Sequence, residues 1–204
     1  INDIEKYVTP RTEKNSSLFL IDLGNNANRM GGSALDQTCN IVNNEPPKIS
    51  NISSLNNYFN CTQELIKNNL LNAYHDRSDG GLITTLIEMG FASNMSIKLK
   101  KQNLTSTDIY KFLFNEELGG VFSISSDNKN KFMNILKKHN LISLCRELGS
   151  IKKEENPSVE IIDANYIEAL SNLRKYWSEL SYLIQSKRDN KKTASEEYQE
   201  KINY

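Results

Sequence analysis

The sequence predicts an α/β fold, an α+β mixed sheet with helices packed on its faces. Three observations lead there. Short apolar or alternating runs, such as residues 17–23 and 120–125, read as strands, while residues 55–69 and 129–139 carry apolar side chains at helical spacing. The two kinds of segment alternate along the chain, the economical pattern for a helix-faced sheet. A length of 204 residues, 38% hydrophobic and 25% charged, suffices for one good core and a small appendage.

Residues 1–16 are polar, contain Pro10 and read as an incoming linker; residues 17–165 form the folded domain. Residues 17–23 make a buried strand. A polar loop over 24–28 leads to Gly31-Gly32-Ser33, which opens a helix through Ala34, Leu35 and Cys39 to Val42. Pro46-Pro47 breaks the chain, and 55–69 follows as an amphipathic helix turning Tyr58, Phe59, Leu65 and Ile66 toward the core. Residues 70–74 are short and apolar, a buried strand or a helix end. Leu82, Ile83, Leu86, Ile87 and Met89 then mark a helix that ends near Ser93.

Residues 95–99 alternate as a strand, 107–114 read as helix, and 120–125 as a strand with Val121 and Phe122. The helix over 129–139 turns Phe132, Ile135 and Leu136 inward. Residues 145–151 and 159–162 suggest a closing pair of strands. From Tyr166 the spacing of Leu170, Leu173, Trp177, Leu180 and Ile184 predicts a long amphipathic helix within a segment 166–190; its Trp-bearing stripe packs on this domain or on a neighbour. The remaining tail, 191–204, belongs to a run too polar to fold alone.

The balance of charge bounds the partners. A formal net charge of +0 and a pI near 6.9 lack the basic footprint of a nucleic-acid binder. No run approaches the ~18 apolar residues needed to span a bilayer, and residues 1–7 are too polar for a signal peptide, so no membrane partner and a cytoplasmic protein are expected. Cys39, Cys61 and Cys145 are far apart, odd in number and without CxxC spacing, which points to buried thiols rather than disulfides or zinc.

The segment with most chemistry is His75-Asp76-Arg77-Ser78-Asp79-Gly80-Gly81, a turn between an apolar run and a helix. Ser78 or Asp79 can cap that helix, and Gly80 and Gly81 let backbone approach a ligand closely. A helix start favours an anion, and Asp76 adds a hard oxygen suited to a magnesium ion already carrying phosphate oxygens and water. The same residue types are ordinary capping and turn residues, and composition alone favours that plain reading. His75 reads as a hydrogen-bonded structural histidine. Asn115-Glu116-Glu117-Leu118-Gly119-Gly120 could bring paired carboxylates into a cleft, but a solvated helix end is preferred there.

Taken together, Leu18-Phe19-Leu20-Ile21-Asp22-Leu23-Gly24, Met30-Gly31-Gly32-Ser33-Ala34-Leu35, His75 to Leu82 and Phe114 to Gly120 resemble the phosphoribosylformylglycinamidine synthase family, the large amidotransferases of purine biosynthesis. The chain looks like the second C-terminal domain of the aminoimidazole ribonucleotide synthetase type, with the ending Trp177-Ser178-Glu179 through Gln185-Ser186-Lys187-Arg188-Asp189-Asn190 similar to a connector toward the glutaminase. That resemblance implies ATP or ADP and Mg2+ as cofactors. It implies Asp76 as a metal ligand, and Ser78 with Gly80 and Gly81 as nucleotide contacts, at an auxiliary rather than a catalytic site. The partners it implies are the remaining synthase domains, including the glutaminase. No catalytic residue of the whole reaction is expected here, and the two histidines and three cysteines assemble no glutaminase triad. Aminoimidazole ribonucleotide synthetase, selenophosphate synthetase and thiamine monophosphate kinase share the same kind of domain; a non-catalytic scaffold is the remaining alternative.

Overall fold

The computed structural model describes residues 7–204, so residues 1–6 of the expected linker over 1–16 lie outside the described residues. Among the described residues seven strands form one mixed sheet: β1 (Ser16–Asp22), β2 (Ala73–Asp76), β3 (Ser96–Leu99), β4 (Gly119–Ser125), β5 (Cys145–Lys152), β6 (Ser158–Ile161) and β7 (Tyr166–Ala169). Their order is β2-β4-β1-β5-β3-β6-β7, antiparallel except for the parallel pair β3 and β6. The helices are α1 (Ala34–Cys39), α2 (Ile52–Lys67), α3 (Gly81–Ser93), α4 (Ser106–Phe114), α5 (Lys129–Lys138), α6 (Leu170–Arg188) and α7 (Lys191–Asn203).

Alternation along the strands splits the core in two. In β1, Leu18 and Leu20 face α3 and α4, whereas Phe19 and Ile21 face α2 and α5. Leu82, Leu86 and Met89 of α3 are fully buried against the first face; Phe132 and Leu136 of α5 are fully buried against the second. Each such side chain contributes about 1.5–3 kcal/mol. A bulge lies where Leu18 pairs with Gly149 and Phe19 with Glu147. The extra residue, Leu148, shifts the alternation so that Leu148 and Ile151 both join the α3 side.

Several expectations change. Residues 145–151 and 159–162 are strands but do not pair with each other, because β3 is inserted between them. Tyr166 begins a strand, not the helix: Tyr166–Ala169 pairs antiparallel with β6 after Asn165 turns at φ 47, and α6 starts at Leu170. Phe59 is 60% exposed, since α2 turns Tyr58, Cys61, Thr62 and Leu65 inward at helical spacing. Cys39 is exposed, Cys61 buried and Cys145 half-buried; burial pushes both of the latter thiols up to about 12.

The polar tail is ordered by its neighbour. Asn190 caps α7, accepting from the amides of Lys192 and Thr193, and α7 buries Ala194 and Tyr198 against α6. The incoming segment is also docked where it is described. Thr9 accepts the Tyr74 amide, and the hydroxyls of buried Thr12 and Ser123 lie 2.5 Å apart.

Candidate functional site

The three segments singled out by their glycines meet at one end of the sheet. Asp22 at the end of β1 pairs with Gly119 at the start of β4, and Asp76 at the end of β2 pairs with Gly120. The loop after β1, the turn after β2 and the segment before β4 therefore emerge side by side. No local spacing could have shown this, because the contacts join residues tens of positions apart.

Behind the turn lies a buried charge network. Arg29 meets Glu117 through Nε at 2.5 Å and Nη2 at 2.7 Å, and the Arg29 amide donates to the same carboxylate at 3.1 Å. Both side chains are almost fully buried. Hydrogen bonding to Glu117 holds the Arg29 guanidinium above its ordinary range, although burial opposes this. Arg77, the central residue of the heptapeptide, points inward. It donates to Asp22 at 2.5 Å, to the carbonyl of Glu117 at 2.6 Å and to that of Leu118 at 3.2 Å, while Nη1 is buried without a protein partner among the described residues. Asp22 also accepts from the amides of Gly24 and Asn26.

Asn115 and Glu117 are fully buried, so the expected solvated helix end is overturned. Asn115 ties α4 to the loop, donating to the carbonyls of Lys111 and Phe112 and to Asn28. Glu116 is half-buried between helix starts: its Oε1 accepts from the amides of Gly80 and Ala34, each at 2.8 Å. Neither Ser78 nor Asp79 caps α3. Gly80 holds the cap position at φ 81 without a side-chain bond, and its amide goes to Glu116. Glycine takes the left-handed cap without strain, and a Cβ at Gly81, φ 72, would meet the backbone of Phe114 and Asn115 at 2.7 Å.

The outer side of the turn is open. Asp76, Ser78 and Asp79 are exposed, Gly80 is half-buried and Gly81 is buried. The Ser78 hydroxyl donates to the Asp76 carboxylate, preorganising the pair on the surface. Among the described residues no three His, Cys, Asp or Glu side chains converge as a metal set. Asp76 thus offers one hard oxygen, which fits magnesium only where phosphates, water or another protein part complete the shell. His75 is hydrogen-bonded, as expected. Its Nδ1 lies 2.8 Å from the Asp76 carbonyl and its Nε2 3.0 Å from Glu88, beside a cleft of about 630 Å³ between α3, α6 and α7.

Asp22, Arg29, Arg77, Glu116 and Glu117 escaped the reading of the sequence as a group. The available hints were slight: a carboxylate ending an apolar strand at Asp22, and an arginine set among acidic residues at Arg77. Among the described residues no helix is long and apolar enough to cross a membrane.

Residues 20–162 match the family model described as AIR synthase related protein, C-terminal domain. The fold is similar to Thermotoga maritima PurL complexed with ATP, with a TM-score of 0.61 at 10% identity over 83% of this chain and 27% of that one. Phosphoribosylformylglycinamidine synthase II from Thermotoga maritima gives 0.59 at 11% identity, over 81% and 27%. The hydrogenase maturation protein HypE in complex with ATP gives 0.53 at 11% identity, over 82% and 54%. The chain thus spans about a quarter of the length of the synthase chains it matches.

Proposed function

Because the chain belongs to the AIR synthase related protein family, as its C-terminal domain, we propose that it is one domain of a phosphoribosylformylglycinamidine synthase. Such an enzyme uses ATP and glutamine to convert formylglycinamide ribonucleotide to formylglycinamidine ribonucleotide in the cytoplasm. This domain contributes one wall of a Mg-nucleotide site, of the auxiliary kind, and is inactive alone. The observation that carries the reading is the open turn after β2: exposed Asp76 and Ser78, hydrogen-bonded together, at the start of the 13-residue helix α3. Solved relatives of the same fold complexed with ATP and ADP are consistent with it.

In this reading Asp76 contributes one metal ligand, Ser78 meets the nucleotide, and Gly80 with Gly81 keeps side-chain bulk away from its phosphates. Magnesium, when bound, offsets the charge of those phosphates. Arg77 and Asp22 hold the turn from below without touching the ligand. The remaining ligands and the ATP-activated chemistry belong to other synthase domains, and ammonia comes from a glutaminase.

Calorimetric titration with magnesium and ADP tests the site. Binding is expected to vanish in Asp76→Ala, and heat that survives unchanged in that variant removes Asp76 from the metal shell. The purified chain should form no amidine from ammonia or glutamine; robust turnover would overturn its assignment as a partial enzyme. The flanking gene sequence separates this synthase from other members of the superfamily, because only the synthase requires an adjoining glutaminase reading frame.

A further inference from the structure

The turn after β2 has an inner and an outer position for negative charge, and the inner one is filled by the protein itself. The 13-residue helix α3 starts from Gly80, whose cap position has no side-chain hydrogen bond among the described residues. Free amides at such a start favour an anion. Here the anion is Glu116: its Oε1 accepts from the Gly80 amide and, across the gap to α1, from the Ala34 amide, each at 2.8 Å. Glu116 reaches these amides from 36 and 82 positions away in the sequence and stays only half-buried.

Its neighbour Glu117 shows how a purely structural carboxylate is housed in this fold. Glu117 is sealed against Arg29, as Asp22 is paired with Arg77. Glu116 instead lies beside the open surface of Asp76, Ser78 and Asp79, held by backbone alone through the residue that follows Asp79. With both arginines engaged behind the turn, Asp76, Asp79 and Glu116 give its outer side a negative sign. Such a surface repels a bare phosphate and attracts a divalent cation.

We propose that Glu116 sets the specificity of the turn: its carboxylate fills the anion position at the start of α3, so a bare phosphate group is refused and one carried on a divalent cation at Asp76 is accepted. The acceptance rests on the reading of Asp76 as a metal ligand; the refusal stands on the geometry of Glu116 alone. A phosphate taking the Gly80 amide directly must displace Glu116 from two charge-assisted bonds and then remain beside the displaced carboxylate. A phosphate arriving on magnesium meets Asp76 and the Ser78 hydroxyl on the outer side and leaves Glu116 in place.

Calorimetric titration of the 204-residue chain with inorganic pyrophosphate in EDTA reads the refusal without any metal. The wild type should have a dissociation constant no tighter than about 1 mM, and Glu116→Ala one at least about tenfold lower. Glu116→Gln keeps an oxygen on both amides while removing the charge, so its value should fall between the two, and it decides alone if Glu116→Ala does not fold. In Glu116→Ala the amide resonances of Gly80 and Ala34 should move as pyrophosphate is added. The preference for ADP with magnesium over ADP in EDTA should be at least about tenfold smaller in Glu116→Ala than in the wild type. Pyrophosphate affinities within about twofold of the wild type in the folded variants overturn the proposal, as does a gain that leaves the Gly80 resonance unmoved. Equal losses toward ADP with and without magnesium make Glu116 a brace of the turn and overturn it as well. Failure of the nucleotide reading looks different: the wild type then gives no heat with ADP and magnesium, while the pyrophosphate gain in Glu116→Ala still upholds the refusal.

Discussion

The segment before β4 and the turn after β2 sit side by side, each with acidic residues and a pair of glycines, yet they use their charges in opposite ways. In the first, Glu117 is sealed against Arg29 and Glu116 is spent on two backbone amides. In the second, the exposed Asp76 carboxylate accepts from the Ser78 hydroxyl and lies 3.5 Å from His75 Nδ1 at the surface. The difference teaches where energy and function divide. A buried charge is costly without a partner, so Arg29 and Glu117 are committed to stability; an exposed carboxylate costs little and stays available to a ligand.

The largest test of that division removes Glu117. Glu117→Ala leaves the Arg29 guanidinium buried without its partner, and the expected loss is about 3–5 kcal/mol in chemical denaturation. A loss below about 1 kcal/mol would mean that Arg29 finds solvent or another acceptor, and the contrast between the segments would collapse. Next comes backbone. Gly81→Ala should cost about 3 kcal/mol, combining left-handed strain with overlap on the rigid backbone of Phe114 and Asn115. Gly32, at φ 79 with open space around it, isolates the strain alone, and Gly32→Ala should cost about 1 kcal/mol. Equal losses at the two glycines would show that the turn and the segment are not locked together.

Asp76→Ala is the counterpart on the open side. Its expected effect on stability is within about 0.5 kcal/mol, measured in the same denaturation series. A loss as large as that of Glu117→Ala would make the turn a structural element and withdraw its availability to a ligand.

Much of the fold was legible because it is local. Helices α2, α3 and α5 and strands β1 and β4 follow from apolar spacing over a few residues, and each occurs within a few positions of where that spacing predicts it. Strand order was not legible, since the insertion of β3 between β5 and β6 depends on pairings about fifty residues apart. Tyr166 shows the limit of periodicity: the apolar spacing of α6 runs smoothly back from Leu170, and only pairing with β6 makes the preceding residues a strand. At the candidate site, Asp76 and Ser78 could be singled out by residue type. Glu116 could not, because it serves the helix start at Gly80 from 36 positions away, replacing the local cap expected of Ser78 or Asp79.

The smallest expected effect concerns a charge cluster away from both segments, where the same rule can be read by pH. Glu64 of α2 receives bonds from Lys138 and from His139 Nε2, each at 2.8 Å, which joins α2 to the end of α5. Lys138 first, then His139, hold its carboxyl below the usual range. A carboxyl whose folded value is depressed binds fewer protons folded than unfolded. Its contribution is therefore complete above the ordinary glutamate value of about 4.3 and is lost as pH falls through the lower folded value. The melting temperatures of the wild type and Glu64→Gln should differ slightly at neutral pH and converge in acid, where both lack the negative charge. A gap that stays constant or widens in acid would show that Glu64 acts through packing. The cluster would then behave like the buried segment despite its exposure.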